Sequence, residues 1–398
     1  MNRLNVFFDG MRVGELALPA NNGIFFEYSP DFLATGFELS PLRLPLAPGA
    51  FSRHQPATVT LHGLFEDSLP DSWGTRIMND WFKVKGVAEP EITPLMRLAY
   101  IGDRGFGALS YAPPEPVEGS EGNLGELYKA ASALDAGGPV DLDQLAAVGS
   151  SAGGARPKVA LWLSDSTGQI TTRAASPDAQ AWLVKFDTTP GRWFGAMEYA
   201  YSLLCRAAGC DFPATKLLTT EHEDGPRRHF AVKRFDRVGV RRLHYHSLGG
   251  MYQAMAGDLD YQTFLRVTRR ITADHREEMK AFRRAVFNVF TSNRDDHGKN
   301  QGYLYENRQW RLSPAFDVTF ASAERMPERG MAVLGERRNA SLNQLHALAQ
   351  TEGLERREVT SVIEEVRNAV TQWPQFAEKA GLPAEITNSM QRSMRAVG

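Results

Sequence analysis

The hydrophobic pattern changes period near residue 250, and that change limits the folds open to this chain more than any other feature. Upstream, from about residue 140, apolar residues come in short runs. Val159-Ala160-Leu161-Trp162-Leu163 and Trp182-Leu183-Val184-Lys185-Phe186 read as largely buried strands, with a turn from Ser164 to Gly168 between them. Phe230 to Phe235 reads as a further strand, and a helix from about Ala196 to Ala208 interrupts the sheet. Downstream, Phe282, Ala285, Val286, Val289 and Phe290 recur at the helical period, as do Val359, Val362, Ile363, Val366 and Val370. Short strands at Gln301 to Tyr305 and Gln309 to Leu312 break the helical region. The fold class expected is α+β, with a strand-rich section before a helix-rich one.

The first 110 or so residues are also mixed. Asp9-Gly10 between Val6-Phe7-Phe8 and Val13-Gly14-Glu15-Leu16 is a strong hairpin signal. Asp71 or Ser72 can cap a helix from Trp73 to Phe82. Residues 112–122 are rich in Pro, Glu and Gly and have little to bury, so they read as a linker. The expected units are therefore 1–112, 123–245 and 246–398, in line with two or three packed units for 398 residues.

Net charge is −2 and the arginine pairs are scattered, which speaks against DNA binding by this chain alone. Cys205 and Cys210 are the two cysteines and form no metal-binding motif, so they read as core residues in a reducing compartment. The N-terminal stretch lacks a signal-peptide pattern, and no run of roughly 18 apolar residues is present. A cytoplasmic chain without membrane contact is expected.

The chemistry concentrates in Asn293-Arg294-Asp295-Asp296-His297-Gly298-Lys299-Asn300, on the loop after an amphipathic helix. Phosphoryl transfer needs an orienting carboxylate, a positioned hydroxyl and metal ions that neutralise phosphate charge. Asp295 and Asn300 reproduce the Asp-to-Asn spacing of a kinase catalytic loop, and Asp317 follows after the two short strands. Asp295 is thus the candidate base. Asn300 and Asp317 are candidate Mg²⁺ ligands, being hard oxygen donors. Lys299 is placed to meet the transferred phosphate and His297 to brace the loop. Gly149-Ser150-Ser151-Ala152-Gly153-Gly154-Ala155-Arg156-Pro157-Lys158 precedes a strand, where glycines let backbone N–H groups approach phosphates. Its candidate ATP contacts are Ser151, Ala152, Gly153, Gly154, Ala155 and Lys158. Lys185 inside an apolar strand needs a counter-charge, which ATP phosphates and Glu198 can supply. Lys233 and Phe235 can lie along adenine. His244 and His246 alternate on a strand without a third ligand, so they read as surface or network residues.

In these motifs the chain resembles the HipA family of type II toxin–antitoxin serine/threonine kinases. The carriers are Gly102-Asp103-Arg104-Gly105-Phe106-Gly107-Ala108-Leu109, Ser151 to Lys158, Leu183-Val184-Lys185, Lys233-Arg234-Phe235-Asp236-Arg237, Asp295 to Asn300 and Leu312 to Asp317. The resemblance implies a two-lobed fold with a mixed α/β N-terminal lobe and an all-helical C-terminal lobe. It implies Mg²⁺- and ATP-dependent phosphorylation of an aminoacyl-tRNA synthetase. It also implies autophosphorylation of Ser151, or Ser150 beside it, which silences the kinase. The implied partner is a helix-turn-helix antitoxin through which the toxin mainly reaches operator DNA. Lys233 stands where the family often has Glu, and Arg156-Pro157 departs from a well-known branch. A small-molecule kinase and a non-catalytic repressor partner are the alternatives.

Overall fold

The structure is a computed structural model and describes residues 1–19, 23–53, 61–117, 123–148, 154–172, 176–222, 225–254 and 257–395. It opens on the hairpin β1 (Arg3–Phe8) and β2 (Met11–Ala17). Asp9 and Gly10 both take positive φ, the geometry a two-residue hairpin turn requires. With β3 (Phe25–Tyr28), β4 (Ala50–Ser52) and β5 (Leu109–Ala112) they form one sheet in the order β4-β3-β2-β1-β5. Helices α1 (Pro30–Leu33), α2 (Gly63–Glu66), α3 (Ser72–Val84) and α4 (Pro94–Ile101) accompany it. Leu4, Val6, Val13, Leu16 and Phe26 pack beneath the sheet against Leu64, Phe65 and Leu98.

A second sheet, β7-β6-β8-β10-β9, contains β6 (Lys158–Ser164), β7 (Ile170–Thr171), β8 (Ala179–Lys185), β9 (Thr215–Thr220) and β10 (Arg227–Lys233). Residues 123–148 hold two helices, α5 (Leu124–Asp135) and α6 (Leu142–Val148). The strand pattern expected from about residue 140 therefore begins only at Lys158. Leu145, Ala146 and Val148 are too few to declare a helical period, and α6 packs them against β6. Helix α7 (Phe194–Ala207) lies against β9 and β10. Helix α3 does not stay with the first sheet. Its Trp73, Ile77, Trp81 and Phe82 join a core with Leu161, Trp182 and Val184 of the second.

After a short hairpin, β11 (Arg237–Val238) with β12 (Arg241–Arg242), the chain runs through β13 (His244–Ser247) and α8 (Leu248–Tyr252). Helices α9 (Tyr261–Thr272) and α10 (His275–Phe290) follow, then β14 (Gly302–Glu306) and β15 (Gln309–Leu312). Helices α11 (Leu342–Thr351), α12 (Arg356–Thr371), α13 (Trp373–Ala380) and α14 (Ala384–Arg395) complete the described chain. The expectation of an all-helical C-terminal lobe is corrected here. β13, β14 and β15 form an antiparallel sheet, with Tyr245 opposite Leu304 and Tyr303 opposite Leu312. β13 pairs with a strand far away in sequence, a non-local partnership that local periodicity cannot reveal. Around this sheet the helices share one core that includes Phe264, Phe282, Phe287, Val362 and Trp373.

The first and last sections meet through glycines. A Cβ on Gly63 of α2 would stand 2.1 Å from the Gly250 carbonyl oxygen of α8. Beside this contact, Asp67 accepts from the Ser247 N–H at 2.6 Å and the Ser247 hydroxyl at 2.7 Å. No helix among the described residues is long and apolar enough to cross a membrane.

Candidate active site

Lys185 ends β8, a strand bonded on both sides by β6 and β10. Strand alternation puts Leu183 and Lys185 on one face, and both line a cleft walled also by Lys299, Asn300 and Asp317. The Lys185 ammonium meets Glu198 Oε2 of α7 at 2.5 Å and also contacts Asp317. Burial works against its charge, but Asp317 and Glu198 reverse this and raise its pKa. Glu198 is itself buried, and Arg156 reaches its other oxygen at 3.3 Å while stacking 3.6 Å over the Phe194 ring.

Asp317 sits in left-handed backbone, φ 52°, which Asp tolerates better than most residues. Burial pushes its carboxyl up, yet Lys185 and Lys158 outweigh this and bring it down to about 2. It is therefore an ionised oxygen donor at neutral pH.

The catalytic-loop candidates hang from the end of α10. Asp296 and Asp295 divide into two roles. Asp296 is fully buried, accepting from Tyr261 at 2.5 Å, Arg329 at 2.9 Å and the Gly330 N–H at 2.8 Å. Asn288 and Asn293 extend this network back into α10. With Asp296 anchored inward, the Asp295 side chain is 44 % exposed. Burial raises its pKa, with His297 opposing and Asp317 reinforcing the rise. His297 Nε2 lies 3.6 Å from Asp295, beside it but beyond hydrogen-bond reach. Asn300 donates its Nδ2 to the Asp295 carbonyl at 2.8 Å. That bond orients the amide, leaving the amide oxygen as its other end.

Hard oxygen donors on Asn300 and Asp317 in one cleft fit Mg²⁺. This ion usually takes only one or two carboxylates and keeps waters and substrate phosphates as its other ligands. Lys233 and Phe235 line the same cleft, and Phe235 packs against Phe106, Tyr245 and Phe316. Val232 and Leu183 extend the apolar wall.

Ser150, Ser151, Ala152 and Gly153 lie outside the described residues. Gly154 has φ +100°, a conformation side chains rarely adopt, and Ala155 is exposed. Lys158 is only 2 % exposed, and burial and then Lys185 lower its pKa to about 8.

Two contributors were not assigned a site role from sequence. Asp71 stands at the N-cap of α3 as expected but does not cap it. Its carboxylate accepts from the Gly154 N–H at 2.7 Å and lies 3.6 Å from Lys299. Trp73, also on α3, donates its indole N–H to the Lys158 carbonyl at 3.0 Å. The start of α3 thus grips both ends of the Gly154–Lys158 stretch. The Asp-Ser-Trp triplet signalled a helix start, but no local pattern tells which partner the carboxylate takes. His244 and His246 are network residues rather than surface ones. His246 Nδ1 lies 2.6 Å from Asp67 and His244 Nε2 lies 2.8 Å from the Leu39 carbonyl.

Comparison with known proteins agrees with this architecture. Residues 4–112 match the HipA N-terminal domain, and residues 150–373 match the HipA-like C-terminal domain. Y4mE of Sinorhizobium fredii, whose name provisionally calls it a kinase, is 27 % identical over 365 residues, 83 % of this chain and 80 % of that protein. HipA of Shewanella oneidensis MR-1, solved with HipB and its operator DNA, superposes with a TM-score of 0.69 at 17 % identity. That match covers 99 % of this chain and 96 % of the other. From its two matched domains, the chain belongs to the HipA family.

Proposed function

We propose that this chain is a serine/threonine-protein kinase that transfers the γ-phosphate of ATP to a protein hydroxyl with Mg²⁺. The observation that carries this reading is Lys185 bonded to both Glu198 and Asp317 in the cleft that also holds Asn300 and Lys299. A lysine, its helix glutamate and a metal-binding aspartate are the parts a kinase must bring together.

In this reading Lys185 holds the α- and β-phosphates, with Glu198 and Arg156 fixing its position. The adenine lies along Val232, Lys233 and Phe235, and Phe235 is held by its aromatic neighbours. Asn300 and Asp317 would hold Mg²⁺, which supplies neutralisation of the phosphate charge when bound. Asp317 must then exchange part of its contact with Lys185. Asp295 orients the acceptor hydroxyl and takes its proton, a task suited to a carboxylate with a raised pKa. His297 braces that loop, and Lys299 meets the transferred phosphate. Gly154, Ala155 and Lys158 continue the phosphate loop whose earlier residues are Ser151, Ala152 and Gly153.

The reading extends to a toxin of two lobes, built from units 1–112, 123–245 and 246–398 and acting in the cytoplasm. Its acceptor is an aminoacyl-tRNA synthetase, and it phosphorylates Ser151 or Ser150 of its own loop. Its partner is a helix-turn-helix antitoxin that carries it to operator DNA, supported by the HipB and DNA in the Shewanella complex.

The test is transfer of labelled γ-phosphate from Mg-ATP to serine or threonine of proteins in a cell extract. Wild type should label an acceptor, EDTA should stop it and Asp295→Gln should lose it. Labelling that persists undiminished in Asp295→Gln would overturn the assignment. Labelling of small metabolites alone would favour a small-molecule kinase.

A further inference from the structure

We infer that Cys205 and Cys210 are a dithiol that peroxide closes to a disulfide, and that closure shifts the segment carrying Asp317. The pair stands at the end of α7, the helix that holds Glu198 against Lys185.

The way α7 stops sets the geometry. Gly209 takes φ +75° after the C-cap Ala208. The Gly209 N–H donates to the Arg206 carbonyl at 3.0 Å, and the Cys210 N–H to the Cys205 carbonyl at 3.1 Å. These are the two bonds of a Schellman motif, in which the side chains flanking the longer loop commonly meet. Here both side chains are thiols, and they share a hydrogen bond.

The two sulfurs are not alike. Cys205 is fully buried, and burial, followed by its hydrogen bond to Cys210, raises its pKa. Cys210 is 9 % exposed. The bond from Cys205 lowers the Cys210 pKa against burial, and Arg284 and Arg283 lower it further. Cys210 is thus the sulfur nearer solvent and the one that ionises more readily. Its thiolate attacks one oxygen of hydrogen peroxide. The O–O bond breaks, hydroxide leaves, and Cys210 becomes a sulfenic acid. The Cys205 sulfur then attacks the Cys210 sulfur. The S–S bond forms as hydroxide departs and takes the Cys205 proton as water. The two thiols lose two electrons, and peroxide gains them. In a reducing compartment such a bond is transient, which suits a sensor.

The path to the cleft is short. Asp211, next to Cys210, accepts from the Ala315 N–H at 2.7 Å, two residues before Asp317. Arg284 acts on both sulfurs and donates to the Ser313 carbonyl at 2.6 Å. Hydrogen-bonded thiols lie farther apart than the roughly 2.05 Å of an S–S bond, so closure draws Cys210 inward and moves the Asp211 carbonyl. The loss of phosphate transfer that should follow rests on the kinase reading; the disulfide and the movement at Ala315 do not.

The whole chain is treated with hydrogen peroxide and digested with trypsin without reductant. Trypsin cuts after Arg206, so peptides 193–206 and 207–216 stay joined only through a disulfide. They should be joined after peroxide, in a chain that stays single on a non-reducing gel, and separate after dithiothreitol. Hydrogen exchange at the Ala315 amide should quicken about tenfold on oxidation. Cys210→Ser should show neither change, and in Cys205→Ser dimedone should trap a sulfenic acid on Cys210. Wild-type peptides that stay separate would overturn the inference, and so would joined peptides with unchanged exchange at Ala315. Both readouts decide it even if a variant fails to fold. If the reduced chain transfers no phosphate, the kinase reading fails while these two readouts still decide the dithiol.

Discussion

Lys185 carries its charge at the buried end of an apolar strand, and its two carboxylate partners explain why this is tolerated. In the proposed kinase reading, replacing it with Met removes the phosphate contact, and it leaves Glu198 beside Arg156 alone. ATP affinity, followed by fluorescent-nucleotide titration, should fall by about tenfold or more, about 1.4 kcal/mol or above. Unchanged affinity would remove Lys185 from the nucleotide site. Asp71 tests the role that sequence did not assign. Asp71→Ala frees the Gly154 N–H and Lys299, so kcat/KM should drop about tenfold to a hundredfold. Asp71→Asn keeps an acceptor and should lose less; equal losses would mean that the negative charge beside Lys299, and not the acceptor, is what matters. At Asp296 the expected effect is on folding instead. Asp296→Ala leaves Arg329 buried without its partner and should cost about 3–5 kcal/mol in urea unfolding. A change under 1 kcal/mol would refute the anchor. These neighbours show what was readable at this scale. The Asp295-to-Asn300 pair stands out in the sequence by its kinase-loop spacing, and Lys185 because charge and apolar context conflict there. The opposite fates of Asp295 and Asp296 do not, because they depend on Tyr261 and Arg329 arriving from elsewhere.

Elements whose signals are local were readable. The Asp9-Gly10 hairpin, the strands β6 and β8 and the amphipathic α10 and α12 all lie where turn chemistry and period place them. Elements defined by distant partners were not. β13 is too short to show an alternation and acquires its identity from β14. The same holds for the α2–α8 contact, where two glycines allow backbones to touch. Gly63→Ala would drive a methyl group into the Gly250 carbonyl and force the two helices apart. We expect a loss of about 1–3 kcal/mol in chemical denaturation. Retained stability would mean that this junction yields easily, and it would weaken the case for α2 steadying the cleft through Asp67 and Ser247.

At the scale of the whole molecule, three buried histidines set an acid limit. The N–H groups of Leu64 and Asp187 donate to Nδ1 of His62 and His229, so both rings are neutral in the fold. Burial, the leading cause, lowers the pKa of His62 to about 4 and those of His229 and His244 to about 3. In the unfolded chain these imidazoles take up protons below about pH 6.5. Stability is therefore whole above that pH and is lost as pH falls toward 4. The slope should approach three protons, about 4 kcal/mol per pH unit at its steepest. Denaturation curves at pH 7.5, 6 and 5 check this, and a flat profile across them would contradict it. The cleft draws on every section of this molecule: Asp71 from the first, Lys185 and Glu198 from the second, and Asn300 and Asp317 from the last. The most direct test of that assembly is intact-mass spectrometry of the purified chain before and after Mg-ATP, for wild type and Asp295→Gln. The account predicts a gain of one phosphate in wild type alone, mapped to Ser150 or Ser151. A wild type that starts without phosphate and gains none, or an Asp295→Gln chain that gains as much as wild type, would contradict it.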